Sequence, residues 1–99
     1  CAEVDHARIP ILPCTQHYLD LGTSPGGTSR NWQSYGDKVD CPADFDFRVI
    51  ADPQTSGGLL VSIAAEAKDD FETFMADRGM TLQAFGTLKE KAGLALSLR

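Results

Sequence analysis

A polar turn that ends in two glycines runs directly into an apolar segment, and this junction limits how the chain can fold. The turn, residues 52–58, reads Asp-Pro-Gln-Thr-Ser-Gly-Gly, and residues 59–64 are apolar except for one serine. Such a run predicts a central β-strand that is covered on both faces. The turn itself has two interpretations. Its Asp and Thr side chains could bond their own backbone while the glycines take positive φ, or the glycines could let the backbone approach a ligand.

A helix is predicted after this strand, over residues 66–78. Acidic residues occupy its first turn, where the helix dipole favours them, and Gly79 is expected to end it. The apolar side chains fall on one stripe, which we expect to dock on the sheet because its burial is strongly stabilising. The stripe consists of Ala67, Phe71, Phe74 and Met75.

Two further strands are predicted near the end of the chain. Residues 82–88 and 94–98 alternate between apolar and polar positions, and residues 89–93 predict the turn of a hairpin between them. The order strand, helix, strand, strand over residues 58–99 predicts an α+β fold with a mixed β-sheet covered by helices.

The first half of the chain, residues 1–51, is less regular. Residues 4–12 alternate loosely and predict an entry strand, and Pro13 marks the start of a short helix that Gly22 ends. A second short helix is expected to run as far as Tyr35. Its predicted cap is Thr28 or Ser29, and its predicted end is Gly36.

Composition restricts the classes of partner. A length of 99 residues is typical of one domain, and 42% hydrophobic with 23% charged residues is ordinary for a globular protein. The formal net charge is −5 and the nine Lys and Arg residues are scattered, which argues against a nucleic-acid surface. No apolar run is long enough to cross a bilayer. We therefore expect neither a nucleic-acid partner nor a membrane partner.

The cysteines predict neither disulfides nor a metal site. Cys1, Cys14 and Cys41 are odd in number and widely spaced, and His6 and His17 are not placed with them as zinc ligands would be. Reduced thiols are typical of a cytoplasmic protein, which is the location we expect.

Two motifs resemble the selenophosphate synthetase (selenide, water dikinase) family. Residues 52–60, Asp-Pro-Gln-Thr-Ser-Gly-Gly-Leu-Leu, resemble the signature near the end of that family. Residues 25–36, Pro-Gly-Gly-Thr-Ser-Arg-Asn-Trp-Gln-Ser-Tyr-Gly, resemble its Gly-Gly-Thr-x-Arg-Asn-aromatic-x-Ser-Tyr-Gly segment, with Trp32 where Phe is more frequent. Residues 9–13 resemble its proline-marked entry, so that the resemblance extends over essentially the whole chain.

This resemblance implies that residues 1–99 are a single C-terminal domain of a longer enzyme, with an irregular glycine-loop region at 1–51 and a regular region at 58–99. It implies the fold of the C-terminal domain of the aminoimidazole ribonucleotide synthetase superfamily, partly ferredoxin-like. It also favours a helical approach to the Asp-Pro turn over residues 45–51, where apolar spacing alone fits strand and helix equally well.

The family makes selenophosphate, AMP and phosphate from ATP, selenide and water, with Mg²⁺. The resemblance therefore implies ATP and Mg²⁺ as cofactors of the full-length enzyme, an N-terminal ATP-binding domain of the same chain as partner, and a homodimer. The family's catalytic Cys or selenocysteine and its metal-binding aspartates lie upstream of this segment. We accordingly expect no catalytic residue, no metal ligand, no bound cofactor and no activity in the 99 residues alone.

The candidate site residues are those that could approach phosphate. Arg30 could hold phosphate oxygens bidentately, and Thr28 or Asn31 could donate at a helix N-terminus. The alternative is that Thr28 only caps the helix while Arg30 is solvated or pairs with Asp37. The full set near phosphate or nucleotide is Gly26, Gly27, Thr28, Arg30, Asn31, Thr55, Ser56, Gly57 and Gly58.

The second loop of this set differs from a P-loop because no Lys follows its glycines and a strand, not a helix, is predicted after them. Its backbone N–H groups could instead form a concave nest for an anion. Asp52 could bind Mg²⁺, but the nearest acids, Asp44 and Asp46, lack ligand spacing, so we interpret Asp52 and Pro53 as the structural turn.

Two other functions stay open. A free-standing, non-catalytic module that binds an anion or mediates assembly is compatible with a small α+β domain. A sister ATP-dependent enzyme of the same superfamily, such as thiamine monophosphate kinase or a hydrogenase-maturation protein, is the third reading. The combination of the two glycine motifs argues against the sister enzymes.

Overall fold

The computed structural model describes all 99 residues and confirms the α+β prediction, with three α-helices and a mixed four-stranded β-sheet. None of its helices combines the length and the apolar composition needed to cross a membrane. The elements are β1 (Ala2–Val4), α1 (Thr15–Asp20), α2 (Gly26–Tyr35), β2 (Val39–Asp40), α3 (Lys68–Ala76), β3 (Gly86–Leu88) and β4 (Leu96–Leu98). Single 3₁₀ turns lie at His6–Arg8, Gly36–Lys38, Phe47–Val49 and Ala65–Ala67.

The sheet joins strands from both halves of the chain in the order β2-β4-β1-β3. β1 is parallel to β4 and antiparallel to β3, and β2 is parallel to β4. The predicted hairpin between the last two strands is therefore wrong, because β1 lies between them. Alternating apolar residues identified the strands, but alternation carries no information about which strand is the neighbour.

The two faces of the sheet have opposite chemistry. Val4 and Leu98 are paired in register on one face and are buried, with exposed fractions of 8% and 1%. Glu3 and Asp40 lie in register with Ser97, on the opposite face because successive side chains alternate. Both carboxylates are ion-paired there: Lys89 Nζ lies 2.8 Å from Glu3, and Arg99 Nη2 lies 2.6 Å from Asp40.

The first half begins with a shorter strand than predicted. β1 ends at Val4, so the entry strand expected over residues 4–12 is wrong. Asp5 turns the chain because its carboxylate accepts a hydrogen bond from the Ala7 N–H group and caps a 3₁₀ turn. The short helix that follows is confirmed as α1, and Gly22 follows its end with φ of +76°.

The largest departure is at residues 59–64, which form no strand. Leu59 and Leu60 are 92% and 81% exposed, and the central covered strand predicted there is wrong. The helix predicted next is present as a 3₁₀ turn followed by α3, and Gly79 has φ of +77° as expected of a helix end. With no strand beneath it, the apolar stripe of α3 is only partly covered, and Phe74 remains 51% exposed. The predicted docking of this helix on the sheet is therefore not found.

Candidate functional site

Helix α2 starts earlier than its predicted cap. Pro25 is the N-cap residue, and no side chain caps the helix, so the prediction that Thr28 or Ser29 does so is wrong. The Thr28 N–H group donates to the Pro25 carbonyl at 3.0 Å, whereas the N–H groups of Gly26 and Gly27 have no acceptor within the chain. The first turn also contains no acidic residue. The N-terminal end of α2 thus keeps its partial positive charge.

This first turn of α2 packs directly against the Asp-Pro turn. A Cβ atom on Gly27 would lie 2.7 Å from Cγ of Pro53, which is closer than real Cβ contacts come. The side-chain amide of Asn31 donates to the Ala51 carbonyl at 2.9 Å. The two glycine motifs, distant in sequence, therefore meet in space, and a residue without a side chain is required where they touch.

Neither Asn31 nor Thr28 offers an unpaired donor at the surface of the protein. The Asn31 amide is engaged with the backbone of the Asp-Pro turn, so it positions that turn. Thr28 is fully buried, and its hydroxyl has no hydrogen-bond partner within the chain. An orphaned buried hydroxyl is unfavourable by about 1–3 kcal/mol, so this position is not one that folding alone optimises.

Arg30 provides the cation of this region. Its side chain forms no ion pair, so the alternative in which it pairs with Asp37 is not found. Its Nη2 atom lies 3.8 Å from the position that a Cβ of Gly27 would take, which places the guanidinium beside the first turn of α2. Two free backbone N–H groups and a free guanidinium therefore lie together, and all of these groups attract an anion.

Two contacts that the sequence analysis did not anticipate support this arrangement. Trp32 of α2 stacks on Phe47 with ring centroids 5.0 Å apart and an interplanar angle of 15°. Arg48 pairs with Asp46 at 2.6 Å and also donates to the Leu19 carbonyl at 3.0 Å. The segment before the Asp-Pro turn is thereby tied both to α2 and to α1. The sequence signals for these two contacts are the aromatic residue at position 32 and the Asp-x-Arg triplet at residues 46–48.

The Asp46–Arg48 pair also shifts two titrations. The side-chain hydrogen bond from Arg48 is the main reason that the pKa of the Asp46 carboxyl lies below its usual value, and partial burial opposes the shift. The same bond raises the pKa of the Arg48 guanidinium. Because no comparable acid pairs with Arg30, the positive charge of Arg30 is available and that of Arg48 is not.

The turn and the loop after it are built differently from the prediction. The side chains of Asp52 and Thr55 make no hydrogen bond within the chain, and the Gln54 N–H group donates instead to the Asp52 carbonyl at 3.1 Å. Neither Gly57 nor Gly58 has positive φ, so the expectation of left-handed glycines there is wrong. A Cβ on Gly57 would lie 2.5 Å from Oε1 of Gln54, whereas Gly58 faces open space. Because the atom that a Cβ on Gly57 would meet is the flexible end of the Gln54 side chain, which can move aside, neither crowding nor backbone angle requires glycine at position 57.

No three His, Cys, Asp or Glu side chains lie together in the chain in a group that could hold a metal ion.

The sequence of this chain is similar to those of several curated proteins that share one name. No protein-family model matches the chain. A selenide, water dikinase of Pseudomonas putida is 41% identical over 97 residues, which cover 98% of this chain and 28% of the relative. The selenide, water dikinase of Aeromonas hydrophila is 41% identical over 92 residues, covering 93% of this chain and 27% of the relative. That of Pseudomonas aeruginosa is 39% identical over 97 residues, covering 98% and 28%. The chain thus spans less than a third of the length of these curated relatives.

Proposed function

Because the chain matches a domain of selenophosphate synthetase over nearly all of its residues, we propose that it works as the C-terminal domain of such an enzyme. The full-length enzyme would use ATP, selenide and water to make selenophosphate, AMP and phosphate. The 99 residues would be inactive alone and would line the cleft that faces an N-terminal ATP-binding domain, within a homodimer. The motif resemblance and the shared identity with named dikinases support this assignment.

The role of the chain in that reaction is to hold phosphate oxygens. The observation that carries this proposal is the junction of the two glycine motifs, where α2 begins. The free N–H groups of Gly26 and Gly27 and the guanidinium of Arg30 lie together there. A helix N-terminus stabilises an anion through its N–H groups and its dipole, and Arg adds charge-assisted hydrogen bonds.

The other candidate residues support this phosphate site, which consists of the Gly26 and Gly27 N–H groups and the Arg30 guanidinium. Asn31 holds the Asp-Pro turn against α2, and Pro53 packs on Gly27. Thr28, in the first turn of α2, is fully buried. We propose that Thr55, Ser56, Gly57 and Gly58, which follow Pro53 closely in the chain, make only supporting contacts with the phosphates. Mg²⁺, which neutralises phosphate charge in such reactions, would be held by residues outside this chain.

The test is the Arg30→Ala variant of the full-length enzyme, with Arg8→Ala as the matched control. Both arginines are exposed and form no ion pair, but Arg8 lies outside the two motifs. A hydrogen bond to a charged group contributes about 1.5–3 kcal/mol, so Arg30→Ala should lower kcat/KM for ATP by roughly 10- to 150-fold. Arg8→Ala should leave kcat/KM unchanged.

Thermal unfolding separates binding from folding in the same variants. Since Arg30 makes no ion pair in the chain, its removal should move Tm by less than about 2 °C. A variant that loses stability but keeps its affinity for ATP would contradict the phosphate role. Equal losses of kcat/KM in both arginine variants would also contradict it, because they would indicate a general effect of net charge.

A further inference from the structure

All three nitrogen atoms of the Arg48 guanidinium are hydrogen-bonded within the chain. Nε and Nη2 donate to the two oxygens of the Asp46 carboxylate at 2.8 and 2.6 Å, and Nη1 donates to the Leu19 carbonyl at 3.0 Å. The Asp46 carboxylate also accepts a hydrogen bond from the backbone N–H group of Arg48 at 3.0 Å. The planar guanidinium is therefore held in one orientation between two partners.

This ion pair is the least exposed in the chain. The Asp46 and Arg48 side chains are each 30% exposed, whereas the side chains of the other three pairs are 38–56% exposed. Exposed pairs with a single contact contribute little to stability, but a bidentate arginine–carboxylate pair is an exception. The Asp46–Arg48 pair is therefore the ion pair best able to fix a segment of this chain.

A short path of contacts leads from this ion pair to helix α2. Asp46 caps the 3₁₀ turn Phe47–Val49, and the Phe47 carbonyl accepts a hydrogen bond from the Ala51 N–H group at 2.9 Å. The Ala51 carbonyl in turn accepts a hydrogen bond from the side-chain amide of Asn31 at 2.9 Å. The turn that the ion pair holds is therefore joined to α2 through two successive hydrogen bonds.

Beyond Ala51 the segment ends at the phosphate site. Pro53 packs on Gly27, whose N–H group is one of the donors proposed to hold phosphate. Nη2 of Arg30 lies 3.8 Å from the position that a Cβ of Gly27 would take. The Asp-Pro turn therefore borders the groups that are proposed to bind phosphate, and a shift of the turn would change their surroundings.

The other end of the path is fixed at α1. Leu19, whose carbonyl accepts a hydrogen bond from Arg48, is one of the four buried residues of the chain. No other hydrogen bond joins α1 to residues 45–53. Contacts with α2 hold this segment on one side only, so that it could pivot about them. Arg48 supplies the second point of attachment.

We propose that Arg48 is a positioning residue of the phosphate site. By attaching residues 46–53 to α1, it keeps the Asp-Pro turn against the first turn of α2. It does not contact phosphate, because its three nitrogen atoms are engaged within the chain. Such support controls affinity because binding groups must stay within about 0.5 Å of their productive geometry. This role of Arg48 depends on the phosphate role proposed for Arg30.

Steady-state kinetics of the full-length enzyme test the proposal, with Arg48→Met as the variant and Arg99→Met as the matched control. Methionine keeps an unbranched apolar side chain but removes every donor of the guanidinium. Arg99 also forms an ion pair at 2.6 Å, but with Asp40 on the sheet. Arg48→Met should raise KM for ATP by roughly 3- to 30-fold while kcat stays within about twofold, because binding groups are displaced. Arg99→Met should change neither.

The split between KM and kcat distinguishes positioning from folding. A purely structural role would reduce the fraction of active enzyme, which lowers the apparent kcat and leaves KM unchanged. That result would overturn the proposal, as would an equal rise of KM in both methionine variants. If Arg30→Ala raises KM and Arg48→Met does not, only the positioning role fails. If Arg30→Ala leaves KM and kcat unchanged, the phosphate role fails and the positioning role fails with it.

Arg48→Lys distinguishes orientation from charge, and it also provides the test if Arg48→Met does not fold. Lysine keeps the positive charge, but its single ammonium group cannot reproduce the bidentate pair with Asp46 and the bond to Leu19 together. Arg48→Lys should therefore raise KM for ATP by at least about threefold. A KM equal to that of the parent enzyme would overturn the proposal, because it would show that Arg48 supplies only charge near the site.

Discussion

Residues 25–53 contain the first glycine motif and the Asp-Pro pair of the second, and residues 57–64 begin with the two glycines of the second. The two regions are close neighbours in sequence, yet one forms contacts within itself and the other does not. The first region closes on itself through the Asn31–Ala51 hydrogen bond and the Trp32–Phe47 stack. The second forms no hydrogen bond over residues 59–63 and leaves Leu59 almost fully exposed.

The two regions differ in whether nearby residues of the chain supply the contacts that they need. The residues that α2 contacts lie within about twenty positions of it in the sequence. A short stretch of the chain is therefore enough to form the proposed phosphate site. The backbone of residues 59–63 forms no hydrogen bond within the 99 residues. A sequence pattern that is typical of a buried strand can therefore fail to form one, because a strand requires a neighbour that supplies its hydrogen bonds.

The largest expected contrast is between two leucines in the 99-residue chain. Leu98 is 1% exposed and Leu60 is 81% exposed. Leu98→Ala should lower the free energy of unfolding by about 2–5 kcal/mol through the cavity that it leaves, whereas Leu60→Ala should change it by less than about 0.5 kcal/mol. Urea unfolding followed by the fluorescence of Trp32, the single tryptophan, measures both.

Next in size is the contrast between two adjacent glycines of α2. A Cβ on Gly27 would lie 2.7 Å from Pro53, but a Cβ on Gly26 would meet nothing within 4 Å. Gly27→Ala should lower the free energy of unfolding by about 1–3 kcal/mol because the Pro53 ring must move. Gly26→Ala should be neutral or stabilising by less than about 1 kcal/mol. Equal effects in urea unfolding would show that the two motifs are not in contact.

A smaller effect is expected from the hydrogen bond that joins the motifs. Asn31→Ala removes the donor to the Ala51 carbonyl and should lower the free energy of unfolding by about 0.5–1.5 kcal/mol. Gln33→Ala, at an exposed position of the same helix with no side-chain hydrogen bond, is the control and should have no such effect. A loss of kcat/KM in the full-length Asn31→Ala variant without a loss of stability would instead indicate that Asn31 contacts substrate directly.

The sequence predicted those features that depend on near neighbours. Gly22 and Gly79 ended their helices as expected, and the alternation of residues 94–98 identified β4. It did not predict that β1 would separate β3 from β4, because strand order depends on the rest of the chain and not on any local pattern. The strand that it predicted at residues 59–64 is wrong, because no part of the chain forms hydrogen bonds with the backbone of residues 59–63.

The sequence likewise predicts only part of the candidate site. The glycine motifs and Arg30 were identifiable from residue types, and that Gly27 would touch Pro53 was not, since contacts between distant segments leave no local signal. The sequence predicts Thr28 as a cap because Thr is a preferred N-cap residue, but Pro25 is the N-cap, so α2 starts three residues earlier than a cap at Thr28 would require.

The smallest effect that separates the regions is the response to acid. The pKa of the Asp46 carboxyl is lowered in the folded chain, chiefly by its hydrogen bond with Arg48, so the folded state favours the ionised form. Its stabilisation is complete above the usual pKa of about 3.9 and is lost as the pH falls from there through the lower folded value. Residues 57–64 contain no titratable side chain, so their hydrogen exchange, corrected for the intrinsic effect of pH, should not respond.

Urea midpoints at pH 6 and pH 3 measure this effect, with Asp46→Asn as the test and Asp44→Asn as the control, since Asp44 makes no ion pair. Asp46→Asn should reduce the loss of stability at pH 3 but not abolish it, because the Glu3 and Asp40 carboxyls are shifted in the same direction by Lys89 and Arg99. Asp44→Asn should leave the loss at pH 3 closer to that of the parent chain. If Asp46→Asn leaves the loss unchanged as well, the Asp46–Arg48 pair does not stabilise the approach to the Asp-Pro turn. The contacts within residues 25–53 would then depend on the Trp32–Phe47 stack, the Asn31 hydrogen bond and the packing of Gly27 on Pro53.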